Sequence, residues 1–91
     1  MSNRVTINKE VSVTAVYFQN NKELRSFPKR IEFEGRQYTF RDGLRCLVQT
    51  GQRLIQIFDM TDGEDKYRLK FDTQDKLWTL VDIVEAPRAL A

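Results

Sequence analysis

Between Arg30 and Phe71 apolar and polar residues alternate with a period of two, and Gly35, Asp42-Gly43, Thr50-Gly51 and Asp62-Gly63 fall where an alternating chain has to reverse. Successive side chains of a strand point to opposite faces, so such a stretch buries one row and wets the other as an antiparallel meander. The glycines recur too closely to leave room for crossover helices. The pattern predicts a shape and names no chemistry.

The flanking segments extend the meander. Residues 11–18, Val-Ser-Val-Thr-Ala-Val-Tyr-Phe, are β-branched and aromatic, which suits a pleated surface. Gln19 to Glu23 is polar, with Asn20-Asn21 suited to a turn. Leu24 to Phe27 runs extended into Pro28, a residue of strand starts and edges. Lys76 to Glu85 carries apolar residues on both faces, Leu77, Val81 and Ile83 against Trp78, Leu80 and Val84, and so predicts a strand that meets a second layer. Its register stays open, because the Asp72–Asp75 loop can hold four or five residues. Nothing divides the chain. The expectation is one all-β domain over residues 1–85 with a tail over 86–91: a single small antiparallel meander of about six to eight strands, forming a barrel or a strongly curved sheet that protects its edges.

Turn chemistry then sets a register. Gly35-Arg36 as a two-residue turn places Phe33 opposite Tyr38 and Ile31 opposite Phe40. Arg41-Asp42-Gly43 as a three-residue loop, with Gly43 left-handed, places Phe40 opposite Leu44 and Tyr38 opposite Cys46. A Thr50-Gly51 turn sets Cys46 against Ile55 and Leu44 against Ile57, and a three-residue Thr61-Asp62-Gly63 loop sets Ile57 against Tyr67 and Ile55 against Leu69. One face thereby collects Ile31, Phe33, Tyr38, Phe40, Leu44, Cys46, Ile55, Ile57, Tyr67, Leu69 and Phe71 as the expected core.

The opposite face is then also defined. Thr39, Arg45, Gln56 and Arg68 form one expected row, Gln37, Leu47, Leu54 and Lys70 the next, and Phe58 beside Lys66 a third. Arg45, Leu47, Leu54, Gln56, Phe58, Arg68 and Lys70 are the candidate partner-binding face, since basic groups interleaved with apolar surface suit an acidic protein segment or a phosphate backbone with stacked bases. A plain structural reading competes: Leu47 and Leu54 pack as a cross-strand pair under Lys and Arg stems, or beneath another part of the chain.

Composition narrows the chemistry. The chain has no histidine, so imidazole acid–base catalysis, Ser-His or Cys-His nucleophile pairs and mixed Cys/His zinc sites are excluded. Its one cysteine, Cys46, excludes an internal disulfide and, within one chain, a thiolate metal cluster; it reads as a small core residue in a reducing compartment. Asp59, Asp62, Glu64 and Asp65 crowd one loop without the ligand spacing of a calcium loop and read as a turn. Glu32 and Glu34 read as solvated strand neighbours, Tyr17, Tyr38 and Tyr67 as core or rim packing, and Trp78 as an anchor for the last strand. A net charge of +2 argues weakly for a polyanionic partner. No signal segment or bilayer-length apolar run is present, and the expectation is a cytoplasmic protein without a membrane partner, catalytic residues, metal or cofactor.

The stretch Pro28-Lys-Arg-Ile31-Glu-Phe33-Glu-Gly35-Arg36-Gln-Tyr38-Thr-Phe40 resembles the opening hairpin of small bacterial all-β proteins of unknown function, which carry a Pro-x-x-apolar-x-aromatic-x-Gly-Arg-x-Tyr signature. Tyr67-Arg-Leu69 and Trp78-Thr-Leu80 are similar to their closing strands, although the chain lacks the Trp-rich middle strands of that group. Some members are encoded near translesion DNA polymerases, so the resemblance implies a DNA-repair context and carries over no site residue. The functional expectation is a non-enzymatic binding or accessory module acting through protein contact or self-association, with a nucleic-acid-binding accessory role as the alternative.

Overall fold

The computed structural model describes residues 3–20 and 24–87, with the backbone alone at 19, 20, 24 and 25. Residues 21–23 of the expected Asn20-Asn21 turn and residues 88–91 of the expected tail lie outside the described residues. The described residues form β1 (Asn3–Asn20), β2 (Leu24–Phe33), β3 (Arg36–Thr39), β4 (Asp42–Thr50), β5 (Arg53–Thr61), β6 (Lys66–Asp72) and β7 (Leu77–Glu85). They make one antiparallel sheet in the order β3-β2-β1-β7-β6-β5-β4. Among them there is no helix long and apolar enough to cross a membrane.

The sheet folds along β1. Asn3 to Val11 pairs with β7, and Ser12 to Asn20 pairs with β2, so this strand belongs to two plies in turn. Breaks in its ladders mark the bend. Asn8 sits at φ 53 where the β7 register slips, and a second slip beside Ala15 precedes the Val16–Pro28 pair. Proline lacks an N–H to donate, and within a sheet it is tolerated at such irregularities. Folding brings Phe27 of β2 edge-on to Phe58 of β5, with ring centroids 5.7 Å apart, so the core lies between the plies. Val11, Phe27, Ile31, Phe40, Phe58, Met60, Tyr67, Leu69 and Leu80 are its buried members.

The sheet rolls but does not close into a barrel. β3 and β4, consecutive in the chain, are its two edges and do not pair, which overturns the expected Arg41-Asp42-Gly43 hairpin. The connection instead carries the chain from one edge to the other. Phe40 donates its N–H to the Lys29 carbonyl on β2 and Arg41 donates to the Thr61 carbonyl on β5, both at 2.8 Å. Phe40 is fully buried at this corner, where consecutive residues tie both plies.

Three expected turns shift. The β2–β3 turn is Glu34-Gly35, with φ of 51 and 75, the signature of a type I′ turn, so Ile31 faces Tyr38 and Phe33 faces Arg36. The β4–β5 turn is Gly51-Gln52, which pairs Thr50 with Arg53 and Cys46 with Ile57. These two changes keep every side chain on its expected face. The β5–β6 loop does not, because Thr61 pairs with Lys66 and four residues, Asp62 to Asp65, separate them. One extra residue flips everything upstream. Phe58 and Met60 therefore point inward, opposite Leu69 and Tyr67, while Ile55, Ile57, Leu44 and Cys46 leave the expected core for the outer face. Gly43 is no turn residue: it lies in β4 opposite Met60, where a Cβ would overlap the Met60 thioether.

The last strand resolves its own ambiguity. The β6–β7 loop holds four residues, since Asp72 pairs with Leu77. Arg68 pairs with Asp82 but Leu69 with Leu80, so Val81 is an extra residue that changes the phase of β7. Trp78 and Leu80 before the bulge and Ile83 after it all pack on the core, which is why apolar residues occur at both parities.

Candidate functional site

The seven residues of the expected binding face divide between both faces of the sheet. Arg45 is opposite Phe58, Leu47 opposite Gln56 and Gln49 opposite Leu54, all on the inner face. Phe58 is 1% exposed, with its ring 5.3 Å from that of Trp78, and belongs to the core. Arg68 and Lys70 stand on the outer face, opposite Asp59 and Ile57. The expected row of Thr39, Arg45, Gln56 and Arg68 does not exist. Its cause is the loop-length slip at Asp62–Asp65 together with the unpaired β3 and β4.

What the register does assemble is a different surface. Across the outer face run three rows: Leu44–Asp59–Arg68–Asp82–Thr6, Cys46–Ile57–Lys70–Thr79–Glu10, and Val48–Ile55–Asp72–Leu77. Each row is apolar where it crosses β4, the two lower rows stay apolar on β5, and all become charged on β6. Leu44 is 76% exposed and Val48 42%, Cys46 is exposed, and Ile55 and Ile57 are half-buried. On the inner side of the same strand Leu47 is 49% exposed. β4 thus shows apolar side chains to solvent from both faces at the border of the sheet.

The charged part of the outer face is internally matched. Arg68 grips Asp59 with two hydrogen bonds, Nε to Oδ1 at 2.7 Å and Nη2 to Oδ2 at 3.2 Å, and this pairing raises the Arg68 pKa. Asp82, the buried carboxylate among the described residues, faces Arg4 at 3.8 Å and lies beside Arg68 in the ladder. A shallow trough follows this row, lined by Arg4, Asp59, Arg68 and Asp82. Alternating charges that satisfy one another leave little field to draw a polyanion.

The acidic loop is a turn device. Asp62 Oδ1 accepts the N–H groups of Glu64 (2.9 Å) and Asp65 (2.8 Å), and Oδ2 accepts the Tyr67 hydroxyl at 3.0 Å. Burial pushes the Asp62 carboxyl up, but these three donors outweigh it and hold it below the ordinary carboxylate value. Tyr67 is raised in turn, by burial first and then by Asp62. Among the described residues no three metal-ligating side chains converge. Tyr38 and Tyr67 pack ring to ring at 5.6 Å, and Tyr17 stacks on Phe27 at 5.4 Å, its buried hydroxyl without a hydrogen-bond partner among the described residues.

Sequence reasoning missed Leu44, Cys46, Val48, Ile55 and Ile57 as surface. Two signals pointed to them. An aspartate that heads a loop can cap amides two and three residues on, which favours the longer Asp62–Asp65 loop. A glycine in β4 also leaves room for a large inward neighbour, here Met60. Comparison with protein-family models, with curated proteins and with solved structures finds no match to this chain.

Proposed function

We propose that this protein is a small non-enzymatic binding or accessory module that works in the cytoplasm through protein–protein contact, self-association included. One observation carries the reading: an apolar surface with Leu44, Cys46 and Val48 exposed and Ile55 and Ile57 half-buried beside them, continuous with the border strand of the sheet. Contiguous apolar surface at a sheet border is what a protein partner covers. The lack of histidine supports a role without acid–base or nucleophilic catalysis. The nucleic-acid alternative, with the DNA-repair context that the hairpin resemblance implies, is weaker, because Arg4 and Arg68 are engaged by Asp82 and Asp59 and because Arg45 and Lys70 stand on opposite faces.

The test uses the immobilised full chain and its Leu44→Glu variant against lysate of the source cell. A protein retained by the first and lost from the second supports the reading, provided circular dichroism shows both folded. Equal retention by both, or salt-sensitive capture of oligonucleotides instead, would sink it.

A further inference from the structure

We propose that the occupant of this surface is a second copy of the chain, and that two protomers pair their β4 strands antiparallel, edge to edge, about a two-fold axis through Cys46. The inference deepens the binding-module reading and rests on it.

The strand itself calls for a strand. β4 pairs with β5 through nine consecutive residues without a register shift, and among the described residues nothing pairs with its other side. It contains no proline, and Arg45 is the one charge within it apart from Asp42 at its start. Short length, bulges, proline and inward charge are the usual means of blocking an edge. β4 has almost none of them, so a regular row of backbone donors and acceptors is left for another chain.

Self-complementarity selects the partner. A two-fold axis normal to the sheet keeps the outer faces of both copies on one side, so even-numbered residues must meet even-numbered ones and odd must meet odd. An axis at Arg45 would set a guanidinium against its own copy, which like-charge repulsion disfavours. An axis at Leu47 would set Leu44 against Thr50 and lose overlap at the Asp42 end. An axis at Cys46 matches all nine residues. It places each Leu44 opposite the other Val48, Cys46 opposite its copy, and each Arg45 opposite Leu47. The exposed apolar residues of one β4 then pack side by side with those of the other across the seam, and the outer patch becomes continuous over both protomers.

The chain exposes 6694 Å², more than the roughly 5,500 Å² of a compact monomer of its mass, which leaves room for an interface of standard size, ~800 Å² per partner.

The test is the mass of the purified, reduced chain by light scattering and sedimentation equilibrium across a concentration series. The expected result is a dimer of twice 10.8 kDa. Leu44→Glu alone and Val48→Lys alone should each weaken it at least tenfold. The double variant should recover to within a few-fold of the original, because each new glutamate then stands opposite a new lysine across the axis. A short bismaleimide should join Cys46 to its copy in the dimer. A monomer at every concentration, or a dimer indifferent to both single changes, overturns the proposal; loss in the singles without recovery in the double overturns the Cys46-centred register. A monomer that still retains a Leu44-dependent protein from lysate removes the dimer and leaves the binding-module reading standing, whereas a monomer that retains none removes both.

Discussion

At one border of the sheet β3 runs for four residues and carries one large apolar side chain, Tyr38, turned inward against Tyr67. At the other β4 runs for nine, with Leu44, Cys46 and Val48 outward and Leu47 on the inner side, all open to solvent. The ply behind β3 is sealed: Phe27 and Ile31 of β2 are buried, and Phe40 ties the end of β3 to Lys29. Behind β4 only the first half is backed by core, through Met60 and Phe58, and the outer face of β5 adds Ile55 and Ile57 to what β4 shows. Two edges of one sheet therefore differ in whether the apolar row faces the opposing ply or water. Apolar content does not separate core from interface; the parity of the pairing does.

The largest effects should come from testing that parity within β5. Phe58→Ala removes a ring packed between Phe27 and Trp78 and should destabilise by about 3–5 kcal/mol. Ile31→Ala, its counterpart in the sealed ply, should fall within about 2–5 kcal/mol. Ile57→Ala, one residue from Phe58 and half-buried, should lose clearly less than either. Denaturant midpoints of the three variants decide the matter. An Ile57 loss equal to that of Phe58 would mean that the outer face of β5 is packed as a core.

Glycine substitutions sharpen the contrast by giving one change two different causes. Gly43→Ala in β4 forces a Cβ into the Met60 thioether and within 3.0 Å of the Asp59 carbonyl, so overpacking should lose about 1–3 kcal/mol. Gly35→Ala meets no atom within 4 Å but must hold φ of +75, and backbone strain should lose about 1–2 kcal/mol. Met60→Ala added to each separates them. It should relieve part of the Gly43→Ala loss and none of the Gly35→Ala loss, because only the former depends on the thioether.

Much of the sealed ply was legible from residue order. The glycine at position 35 and the alternation through Ile31, Phe33 and Tyr38 place the hairpin within one residue, and a two-residue slip of that kind preserves the faces. Tyr67, Leu69 and Phe71 were also legible, since no alternative phase of β6 buries so much. β5 was not. Leu54, Gln56, Phe58 and Met60 compete there with Ile55 and Ile57, both parities are apolar, and the choice between them turns on whether the next loop holds three residues or four. The β3–β4 break was illegible for another reason: Arg41-Asp42-Gly43 is good hairpin chemistry, and only the long-range bonds of Phe40 and Arg41 divert it. The candidate site inherited both errors, because it was defined as whatever lay opposite the core.

Acid should distinguish the two plies next. Asp62 is held below its usual value of 3.8 in the folded chain. Its contribution is thus complete above the unfolded value and disappears as pH falls through the lowered folded one. Asp72 is lowered likewise, burial being outweighed by the N–H groups of Gln74 and Asp75 and by Arg53. Both carboxylates cap loops of the β5–β6–β7 ply, whereas the β2–β3 turn relies on backbone conformation at Glu34-Gly35. Below about pH 4 the amide signals of Glu64, Asp65, Gln74 and Asp75 should shift together as these caps are lost. Asp62→Asn should remove the first two shifts and leave the last pair of the four.

The smallest effect separates an open border from a covered one. Leu44 is 76% exposed, so Leu44→Ser in dilute solution should change stability by no more than about 0.5 kcal/mol. Tyr38→Ser, on the opposite border but turned inward against Tyr67, should lose appreciably more. Measured at increasing protein concentration, the Leu44 difference should grow, since a partner that binds only the folded chain adds stability by mass action. A Leu44→Ser loss above about 1 kcal/mol that is independent of concentration would mean that the chain covers this row itself. The two borders would then be alike, and the outer face of β4 would be interior surface seen with its cover removed.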